Sequence, residues 1–519
     1  MDGFDARAPL LPEILGLHGK WRGSKPALVV GGITQNWCEF HRSIATVASA
    51  LAASNIGAGD RVAVLMSSEA AAVHALFGIM SAGAVSVPIN LSISDDAVLG
   101  MLRDSGARAV LATRDQRQRV DALRDRCGDA LRLFVQTGEA HPGWLDWDRF
   151  LALARPDGTL PAIAGDQLLN IIYSSGTTGV PKGIVHTHAG RRDWAYDLAI
   201  ALRYHGGART LVTIGLYSNI SWVCMLCTLL AGGTLYVQAR FDADAFLDTV
   251  ARERITHTSM VPVQYQRVLD AQLTRPRNVS SLQAMMSCGS PLHADLRRRL
   301  FERFDCGVIE LYGLTEGVIT TLDPEDAPGR WSSAGKPLLG TDLRIVDDHG
   351  HELPWGETGE IVSRGRITMP GYYNRPEATA EATWTDPVGR RWLRTGDVGR
   401  IDEEGFLYIV DRKKDMILSG GQNVYPADIE VVMLGHPAVR EVAVIAVASE
   451  RWGEAPLAVV VPSAPVAAAE LVEWTNARVG RQQRIADVAF VDELPRNPNG
   501  KILKRELRKT HAHLGDGQR

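Results

Sequence analysis

The sequence predicts an α/β fold followed by a smaller α+β domain. Between residues 61 and 111, strand-like apolar runs alternate with helix-like segments, and the same alternation returns between Arg209 and Leu269. Because strands that alternate with helices pair in parallel, each stretch predicts a parallel sheet with crossover helices. After about residue 335 the helical pattern fades, and short alternating segments such as Asp342–Val346 and Gly359–Val362 predict a small β-barrel.

The individual elements follow from local hydrophobic patterns. The segments that predict strands in the first part of the chain are Arg61–Met66, Val85–Pro88, Ala109–Leu111, Leu168–Ile172 and Leu235–Val237. The segments that predict helices are Ala70–Ala82, Asp96–Asp104 and Ala243–Arg252. Beyond a charged run at Asp411–Asp415, which predicts a linker, the helix Ala427–Leu434 and the strands Ala443–Val447 and Leu457–Val461 fit a compact α+β domain. That domain would span about a hundred residues.

Composition narrows the class of protein. The 519 residues are enough for more than one domain, and the hydrophobic share of 45% with 22% charged residues is typical of globular proteins. A net charge of −4 gives no electrostatic case for nucleic acid as a partner. The start Met1–Asp5 lacks a basic, apolar signal sequence and the six cysteines are scattered, so we expect a reduced, cytoplasmic location.

Two apolar features have ordinary structural interpretations. The longest apolar stretch, residues 211–237, is interrupted by serine, asparagine and glycine, so it predicts a buried strand and helix rather than a membrane span. Cys224 and Cys227 form a Cys-x-x-Cys pair inside this stretch. No second pair or histidine cluster completes a zinc set in the sequence, so we expect buried small side chains.

The loop that follows Leu168–Ile172 carries the first functional signal. Tyr173–Gly183 offers four hydroxyl groups, glycines that permit close backbone approach, and a mobile cation in Lys182. Such a loop suits the phosphates of a nucleotide, although it lacks the Gly-Lys-Ser/Thr order of a Walker A loop. The alternative is an ordinary surface loop rich in glycine, serine and threonine.

Five further motifs follow this loop in order. They are Tyr312–Glu316, Thr395–Asp397, Asp411–Asp415, Ser419–Asn423 and Pro495–Lys501. From about residue 20 to residue 508, the order and spacing resemble the adenylate-forming (ANL) superfamily of acyl- and aryl-CoA ligases, peptide-synthetase adenylation domains and luciferases. The resemblance implies a large N-terminal AMP-binding domain, residues 1–412, with two α/β subdomains and a small β-barrel. It also implies a mobile α+β C-terminal lid, residues 413–519, that turns about a hinge at Lys414.

The resemblance assigns the nucleotide site residue by residue. The residues expected to surround the β- and γ-phosphates are Ser174, Ser175, Gly176, Thr177, Thr178, Gly179 and Lys182. Those expected at the adenosine and α-phosphate are Gly289, Ser290, Pro291, Tyr312, Gly313, Thr315, Asp397 and Arg412. Within these sets, Tyr312 would stack on adenine, Asp397 and Arg412 would reach the ribose, and Glu316 would hold Mg²⁺. Taken singly, each could equally be an ordinary surface or core residue.

Catalysis and the remaining substrates are assigned in the same way. Lys182, Thr315, Glu316 and Lys501 are the expected catalytic residues, with Lys501 carrying the mobile charge of the first half-reaction. The expected CoA site contains Ser419, Gly420, Gly421 and Trp452, and the expected acyl pocket contains Ser218, Asn219, Met260, Cys288, Gly313 and Val318. Many relatives have a histidine gate where Ser218 aligns, so serine makes this wall smaller and more polar.

The branch of the superfamily follows from what the motifs contain. Gly215–Trp222 has no acidic residue for a substrate ammonium group, Ser419–Pro426 has the form seen in CoA ligases, and the chain ends 18 residues after Lys501. The prediction is an ATP-, Mg²⁺- and CoA-dependent ligase acting on a monocarboxylic aromatic, alicyclic or medium-chain acid, because the pocket candidates include no arginine or lysine. The alternatives are a ligase that loads a carrier protein and a non-catalytic relative that binds nucleotide or acyl chains.

A regulatory hypothesis concerns the catalytic lysine. Pro495 and Gly500–Lys501 have the spacing Pro-x-x-x-x-Gly-Lys, which in bacterial members resembles the site of protein lysine acetyltransferases. Acetylation would remove the charge that the first half-reaction needs. The alternative is that the motif exists only because catalysis uses it.

Overall fold

The computed structural model describes residues 8–128, 130–155, 161–174, 182–419, 422–496 and 500–514. The chain divides into two compact units. The first contains residues 1–331, 337–342 and 364–383, and the second contains residues 332–336, 343–363 and 384–519. Most of the segment that was predicted to form a barrel thus groups with the C-terminal residues. The hinge at Lys414 and the 1–412/413–519 division stay predictions.

The helices, in chain order, are α1 (Leu11–Trp21), α2 (Trp37–Ala53), α3 (Ala70–Ser81), α4 (Asp95–Ser105), α5 (Arg117–Leu123), α6 (Trp147–Leu151), α7 (His188–Ala201) and α8 (Asn219–Ala231). They continue as α9 (Ala243–Glu253), α10 (Pro262–Thr274), α11 (Ala294–Arg303), α12 (Pro376–Glu381), α13 (Pro426–Leu434), α14 (Ala468–Asn476) and α15 (Lys504–Thr510).

The strands that precede residue 240 are β1 (Pro26–Val30), β2 (Ile33–Asn36), β3 (Arg61–Leu65), β4 (Val85–Pro88), β5 (Ala109–Ala112), β6 (Leu133–Gln136), β7 (Leu145–Asp146), β8 (Leu168–Ser174), β9 (Lys182–Thr187), β10 (Arg209–Val212) and β11 (Thr234–Val237). The next are β12 (His257–Met260), β13 (Ala284–Ser287), β14 (Ile309–Gly313), β15 (Ile319–Leu322), β16 (Lys336–Pro337), β17 (Thr341–Val346), β18 (Gly359–Gly365), β19 (Thr383–Thr385) and β20 (Arg391–Ile401). The last are β21 (Leu407–Arg412), β22 (Ile417–Ser419), β23 (Gln422–Val424), β24 (Val439–Ser449), β25 (Gly453–Pro462) and β26 (Asp487–Phe490).

Two mostly parallel sheets form the framework of the first unit. One has seven strands in the order β7-β6-β5-β3-β4-β8-β9, and the other has nine in the order β16-β15-β14-β13-β12-β10-β11-β1-β2. Strands such as β4 and β5 are buried along their whole length, which explains why they read as continuous apolar runs. The α/β prediction for this part of the chain is confirmed.

Helices enclosed by these sheets are apolar on every side. Helix α3 is buried from Ala72 to Ser81, and Phe77 packs with its ring centroid 6.3 Å from that of Trp222 in α8. An all-round apolar helix has no face that water could solvate, so it belongs in a core. Cys224 and Cys227 lie in α8 with exposed fractions of 1% and 0%, which confirms their interpretation as buried small side chains.

The second unit contains two further five-stranded sheets. In the first, β18 and β21 both pair antiparallel with β20; in the other, β25 lies between β24 and β22 and also pairs with β26. Alternation along β24 sends Val442 and Val444 into one core, which contains Leu471 of α14. The intervening Ala443 and Ile445 enter a second core on the opposite face. The predicted α+β region is therefore confirmed. Within the described part of the chain, no helix combines the length and hydrophobicity that a membrane crossing needs.

Candidate functional site

The predicted adenine and acyl residues of the first unit lie at one edge of the nine-stranded sheet. Strands β10, β12, β13 and β14 are parallel neighbours, so their carboxyl ends meet at this edge. Met260 ends β12, Gly313 ends β14, and Cys288 follows β13. The remaining predicted residues at this edge are Ser218 and Asn219 after β10, Gly289, Ser290 and Pro291 after β13, and Tyr312 within β14. Carboxyl edges of parallel sheets are the usual ligand sites of α/β proteins.

A tight turn between β14 and β15 positions Thr315 and Glu316. Leu314 N–H donates to the Val318 carbonyl at 3.1 Å, and Met369 N–H donates to the Glu316 carbonyl at 2.8 Å. Gly317 has φ of +118°, and a Cβ there would lie 2.4 Å from the Ile367 oxygen. The turn therefore requires glycine at 317, and it fixes the backbone of both predicted catalytic residues.

The Glu316 carboxylate is joined to Lys182 through Tyr372. The Tyr372 hydroxyl donates to Glu316 Oε1 at 3.0 Å, and Lys182 Nζ lies 5.1 Å from the centroid of the Tyr372 ring. Burial, reinforced by the negative charge of Glu316, raises the pKa of Tyr372, so this hydroxyl stays protonated and donates. Sequence reasoning missed Tyr372, and no signal in its neighbourhood separates it from Tyr373.

The phosphate loop lies mostly outside the described residues. Ser174 ends β8 and Lys182 begins β9, and the two strands pair antiparallel with Ser174 opposite Lys182. Residues Ser175, Gly176, Thr177, Thr178 and Gly179 fall in the undescribed stretch. Their roles stay predictions.

Four of the six acyl-pocket candidates are buried, whereas Asn219 is half-buried and Gly313 is exposed. Met260 and Val318 are fully buried, and burial raises the pKa of the Cys288 thiol, which keeps it neutral. Ser218 is also buried, and its Oγ accepts a hydrogen bond from Ile220 N–H at 3.3 Å as the N-cap of α8. The hydroxyl predicted to make the wall polar thus also caps a helix.

One cation near these candidates was missed. Arg191 Nη2 donates to Asn219 Oδ1 at 2.9 Å, and Arg191 is 1% exposed. The sequence analysis found no arginine or lysine because it considered only the pocket candidates. Arg191 lies in helix α7, 28 residues before Asn219, and the sequence does not indicate that the two are in contact.

The second unit brings Asp397 and Arg412 together. The two residues face each other across β20 and β21, and Arg412 Nε lies 3.1 Å from Asp397 Oδ1. Asp397 is 3% exposed, and its own N–H donates to Thr395 Oγ1 at 3.0 Å. The residues predicted for the ribose are therefore adjacent.

Lys501 lies in the same charged cluster. Burial, together with the positive charges of Arg412 and Lys414, lowers the pKa of Lys501 to about 7, against the opposing effect of Asp397 and Asp415. Residues that are up to about a hundred positions apart in sequence thus share one electrostatic environment within the second unit. A buried group whose pKa is strongly shifted beside specific charged neighbours is typical of functional sites.

A short antiparallel bridge holds the chain around Lys501. Arg496 pairs with Ile502, and Leu503 N–H donates to the Pro495 carbonyl at 2.8 Å. Arg496 Nη1 donates to the Gly500 carbonyl at 2.7 Å, and its Nη2 contacts the Glu441 carboxylate. Arg496, which sequence reasoning did not single out, therefore fastens the Lys501 segment to β24.

Charged contacts flank Lys414 on both sides. Lys413 Nζ lies 2.9 Å from Asp348 and 3.2 Å from Glu360, and Arg508 lies 2.8 Å from Asp415. Each neighbour of Lys414 is thus tied to a different segment, which is compatible with the predicted hinge.

The described part of the predicted CoA site is contiguous. Ser419 of β22 pairs with Gly453 of β25, next to Trp452. Trp452 is 38% exposed, and its ring packs against Arg451 at 4.8 Å. Gly420 and Gly421 fall outside the described residues.

Two family profiles together match most of the chain. The profile of the AMP-binding enzyme family matches residues 18–373, and that of the AMP-binding enzyme C-terminal domain matches residues 428–501. A feruloyl-CoA synthase from an Amycolatopsis species is 37% identical over 486 residues, which cover 92% of this chain and 94% of that protein. The long-chain-fatty-acid–CoA ligase FadD13 of Mycobacterium tuberculosis is 34% identical over 475 residues, which cover 90% and 91%.

The fold has a counterpart with a bound intermediate. The o-succinylbenzoate CoA synthetase of Bacillus subtilis, solved with its acyl-adenylate intermediate, matches with a TM-score of 0.84 and 29% identity, covering 96% of this chain and 98% of that one. The sequence resemblance is thereby confirmed at the level of profile, sequence and structure. The chain belongs to the AMP-binding enzyme family, in its branch of AMP-forming acyl- and aryl-CoA ligases.

Proposed function

We propose that this AMP-forming acyl-CoA ligase activates a monocarboxylic aromatic, alicyclic or medium-chain acid with the residues described above. In the first step a carboxylate oxygen bonds to the α-phosphorus of ATP, and the bond to the bridging oxygen of pyrophosphate breaks. In the second step the CoA sulfur bonds to the acyl carbon, AMP leaves with the carbon–oxygen electron pair, and the thiol proton is released. Charge accumulates on phosphate oxygens in the first step, so positioned cations supply most of the catalysis.

The observation that carries the proposal is the environment of Lys501. Its pKa of about 7 results from burial and from two neighbouring cations, Arg412 and Lys414. A bound triphosphate would add negative charge near Lys501 and favour the ammonium form. The ammonium group would then stabilise the charge that develops at the α-phosphate. In the same proposal Asp397 accepts hydrogen bonds from the ribose hydroxyls and Arg412 assists it.

Mg²⁺ is part of the proposal, and Glu316 would hold it. Among the described residues, no group of three or more histidine, cysteine or acidic side chains forms a metal site. A single carboxylate suits Mg²⁺, which keeps several waters and takes further ligands from substrate phosphates. Tyr372, by donating to Oε1, orients the Glu316 carboxylate. When bound, the ion would neutralise phosphate charge.

Similarity to relatives supports the acid class. Relatives named as feruloyl-CoA synthase and long-chain-fatty-acid–CoA ligase act on an aromatic and an aliphatic acid respectively by their names. Met260 and Val318 are buried and apolar and the Cys288 thiol is neutral, which favours such acyl groups.

An acid panel tests the proposal. The enzyme is incubated with ATP, Mg²⁺ and each acid, with either free CoA or a phosphopantetheinylated carrier protein, and the products are identified by mass spectrometry. The expected result is acyl-CoA, AMP and pyrophosphate from at least one aromatic, alicyclic or medium-chain acid. Acyl-AMP that transfers only to the carrier would favour the carrier-loading alternative. Absence of both products with every acid would favour a non-catalytic binder.

Three finer predictions accompany it. Rotation of the C-terminal lid (residues 413–519) about Lys414 would replace Lys501 with the Ser419–Gly421 segment and Trp452 for the CoA step. We also expect a cytoplasmic location, which cell fractionation tests.

Acetylation of Lys501 by a lysine acetyltransferase would stop adenylation. Incubation with such an enzyme and acetyl-CoA, followed by peptide mapping, tests the last prediction, which fails if Lys501 stays unmodified or if adenylation persists after modification.

A further inference from the structure

A buried arginine, Arg191, contacts the predicted acyl-pocket residue Asn219 and has no acidic partner among the described residues. Arg191 lies in the first turn of α7 and is 1% exposed. No carboxylate of the described residues lies within ion-pair distance of its guanidinium. Buried arginines are normally paired, because removing the charge from water costs several kcal/mol. The positive end of the helix dipole adds to this cost.

Aromatic faces and amide oxygens compensate the charge in part. The guanidinium carbon lies 4.7 Å from the centroid of the Trp194 ring and 5.7 Å from that of Trp222. Nε donates to Asn170 Oδ1 at 3.3 Å, and Nη2 donates to Asn219 Oδ1 at 2.9 Å. Nη1 is buried with no partner among the described residues. Burial lowers the pKa of Arg191 to about 9, so the group is still charged at neutral pH.

The arginine fixes the orientation of the Asn219 amide. A guanidinium can only donate, so the atom of Asn219 that faces Arg191 must be the acceptor Oδ1. The Nδ2 group then points the other way. Asn219 is half-buried, and Nδ2 is neither a buried unsatisfied atom nor bonded to another described residue. It is a donor with accessible surface and with its rotation locked.

Asn219 lies among the predicted acyl-pocket residues at the edge of the nine-stranded sheet. Asn219 is the first residue of α8 and follows β10 at the edge where β12 ends in Met260 and β13 is followed by Cys288. These neighbours are apolar and buried. A ligand that covers this wall displaces water from the donor and must then offer an acceptor in its place. A ligand that lacks an acceptor would leave the donor unpaired.

We propose that Asn219, oriented by Arg191, donates a hydrogen bond to an oxygen atom on the acyl group, so that the enzyme prefers ether-, hydroxyl- or carbonyl-bearing acids over hydrocarbon acids of the same size. The inference rests on the proposed function and names the substrate class within it. Asn219 is the specificity-determining residue, and Arg191 is a positioning residue that acts through it. The oxygen lies along the acyl group, away from the reacting carboxylate.

Matched acid pairs test the preference. The assay uses an acid scaffold that the wild-type enzyme accepts. Each pair differs by one ether oxygen in place of a methylene, such as 4-methoxycinnamate against 4-ethylcinnamate or an oxa-fatty acid against the fatty acid. Successive pairs carry the oxygen at different positions along the acyl group. At one position the ether should be favoured in kcat/KM by about 5- to 10-fold, the value of one neutral hydrogen bond. Equal rates at every position would overturn the inference. Loss of all turnover would instead overturn the ligase proposal.

Two substitutions separate orientation from packing. Asn219→Asp keeps the shape and pairs with Arg191, but it replaces the donor by an acceptor, so the ether preference should disappear while hydroxyl analogues are still accepted. Arg191→Met should lower the preference without reversing it, because the amide can then turn. Asn278→Asp, at an exposed asparagine of the same unit, is the matched control and should keep the wild-type ratio. If Asn219→Asp folds, judged by an unchanged or raised Tm, and keeps the ether preference, the assignment is wrong.

Discussion

Replacing Tyr372 by phenylalanine removes one hydrogen bond from the predicted Mg²⁺ ligand and leaves the ring in place. The hydroxyl donates to Glu316 Oε1 at 3.0 Å, and the ring lies 5.1 Å from Lys182 Nζ. A hydrogen bond to a charged group contributes about 1.5–3 kcal/mol. Both partners are half-buried, so we take the lower end. A loss of about 1.5 kcal/mol corresponds to about tenfold in rate at 25 °C.

The loss should appear only in the first half-reaction. ATP–pyrophosphate exchange measures adenylate formation, and we expect Tyr372→Phe to lower kcat/KM for ATP about tenfold. Conversion of supplied acyl-AMP and CoA to thioester should be unchanged. Tyr372→Leu should lose a further factor of about 2–5, because it also removes the cation–π contact with Lys182.

A matched control guards against a general effect of hydroxyl removal. Tyr196 of α7 is 39% exposed, and Tyr196→Phe should behave as the wild type in both half-reactions. Wild-type exchange by Tyr372→Phe would refute the orienting role of Tyr372. Equal losses in both half-reactions would show that the substitution disturbs the fold rather than the carboxylate.

Three other predictions concern the backbone and the catalytic lysine. Arg496→Met should lower adenylation at least tenfold, the value of one charge-assisted hydrogen bond, because the Lys501 segment loses its anchor. The thioester step should change little, and Arg496→Lys should keep part of the adenylation activity. Because Lys501 acts as an ammonium with a pKa of about 7, kcat/KM for ATP should fall as pH rises above about 7, and a profile without that limb would contradict the role. Gly317→Ala should lower both Tm and adenylation, because its Cβ would meet the Ile367 oxygen at 2.4 Å. Gly329 also has a positive φ, but no atom lies within 4 Å of a Cβ added there, so Gly329→Ala should lower Tm less. An equal loss of Tm in the two variants would show that φ alone, and not the contact with Ile367, causes the effect.

Much of the fold could be predicted from the sequence because its strands are buried on both faces. Strands β4 and β5 read as apolar runs, and α3 reads as a small-residue helix, so their type follows from local composition. The order of strands within each sheet could not be predicted in this way. Strand β1 pairs with β11 across more than two hundred residues, and no local pattern encodes such a neighbour.

Candidate site residues could be proposed from the sequence where motifs are contiguous, but the long-range contacts between them could not. Tyr312–Glu316 is one segment, whereas Tyr372 reaches Glu316 from 56 residues away. Arg191 reaches Asn219 from 28 residues away. Both contacts depend on how helices and loops pack at the sheet edge, so composition and spacing could not indicate them. Ser218 shows that a motif can also hide a structural role. Its position in the motif suggested a pocket wall, and the structure shows that its hydroxyl also caps helix α8.

The lysine environment is a further case. Sequence reasoning assigned Lys501 a mobile charge from its motif, but a lysine near a chain end ordinarily has a pKa close to 10.4. Its pKa of about 7 comes from burial next to Arg412 and Lys414, which only folding brings near. The shift therefore could not be predicted from the sequence.

Comparison of the two half-reactions in Lys501→Ala shows whether this lysine serves adenylate formation alone. Adenylate formation is followed by ATP–pyrophosphate exchange, and thioester formation is followed from supplied acyl-AMP and CoA, with Lys509→Ala in the exposed part of α15 as the matched control. We expect Lys501→Ala to lose about 10²–10³ in adenylation, the usual cost of removing one oriented group from a developing charge. The thioester step should be unchanged, and Lys509→Ala should behave as the wild type. Equal loss of both half-reactions, or adenylation at the wild-type rate, would contradict the role of Lys501.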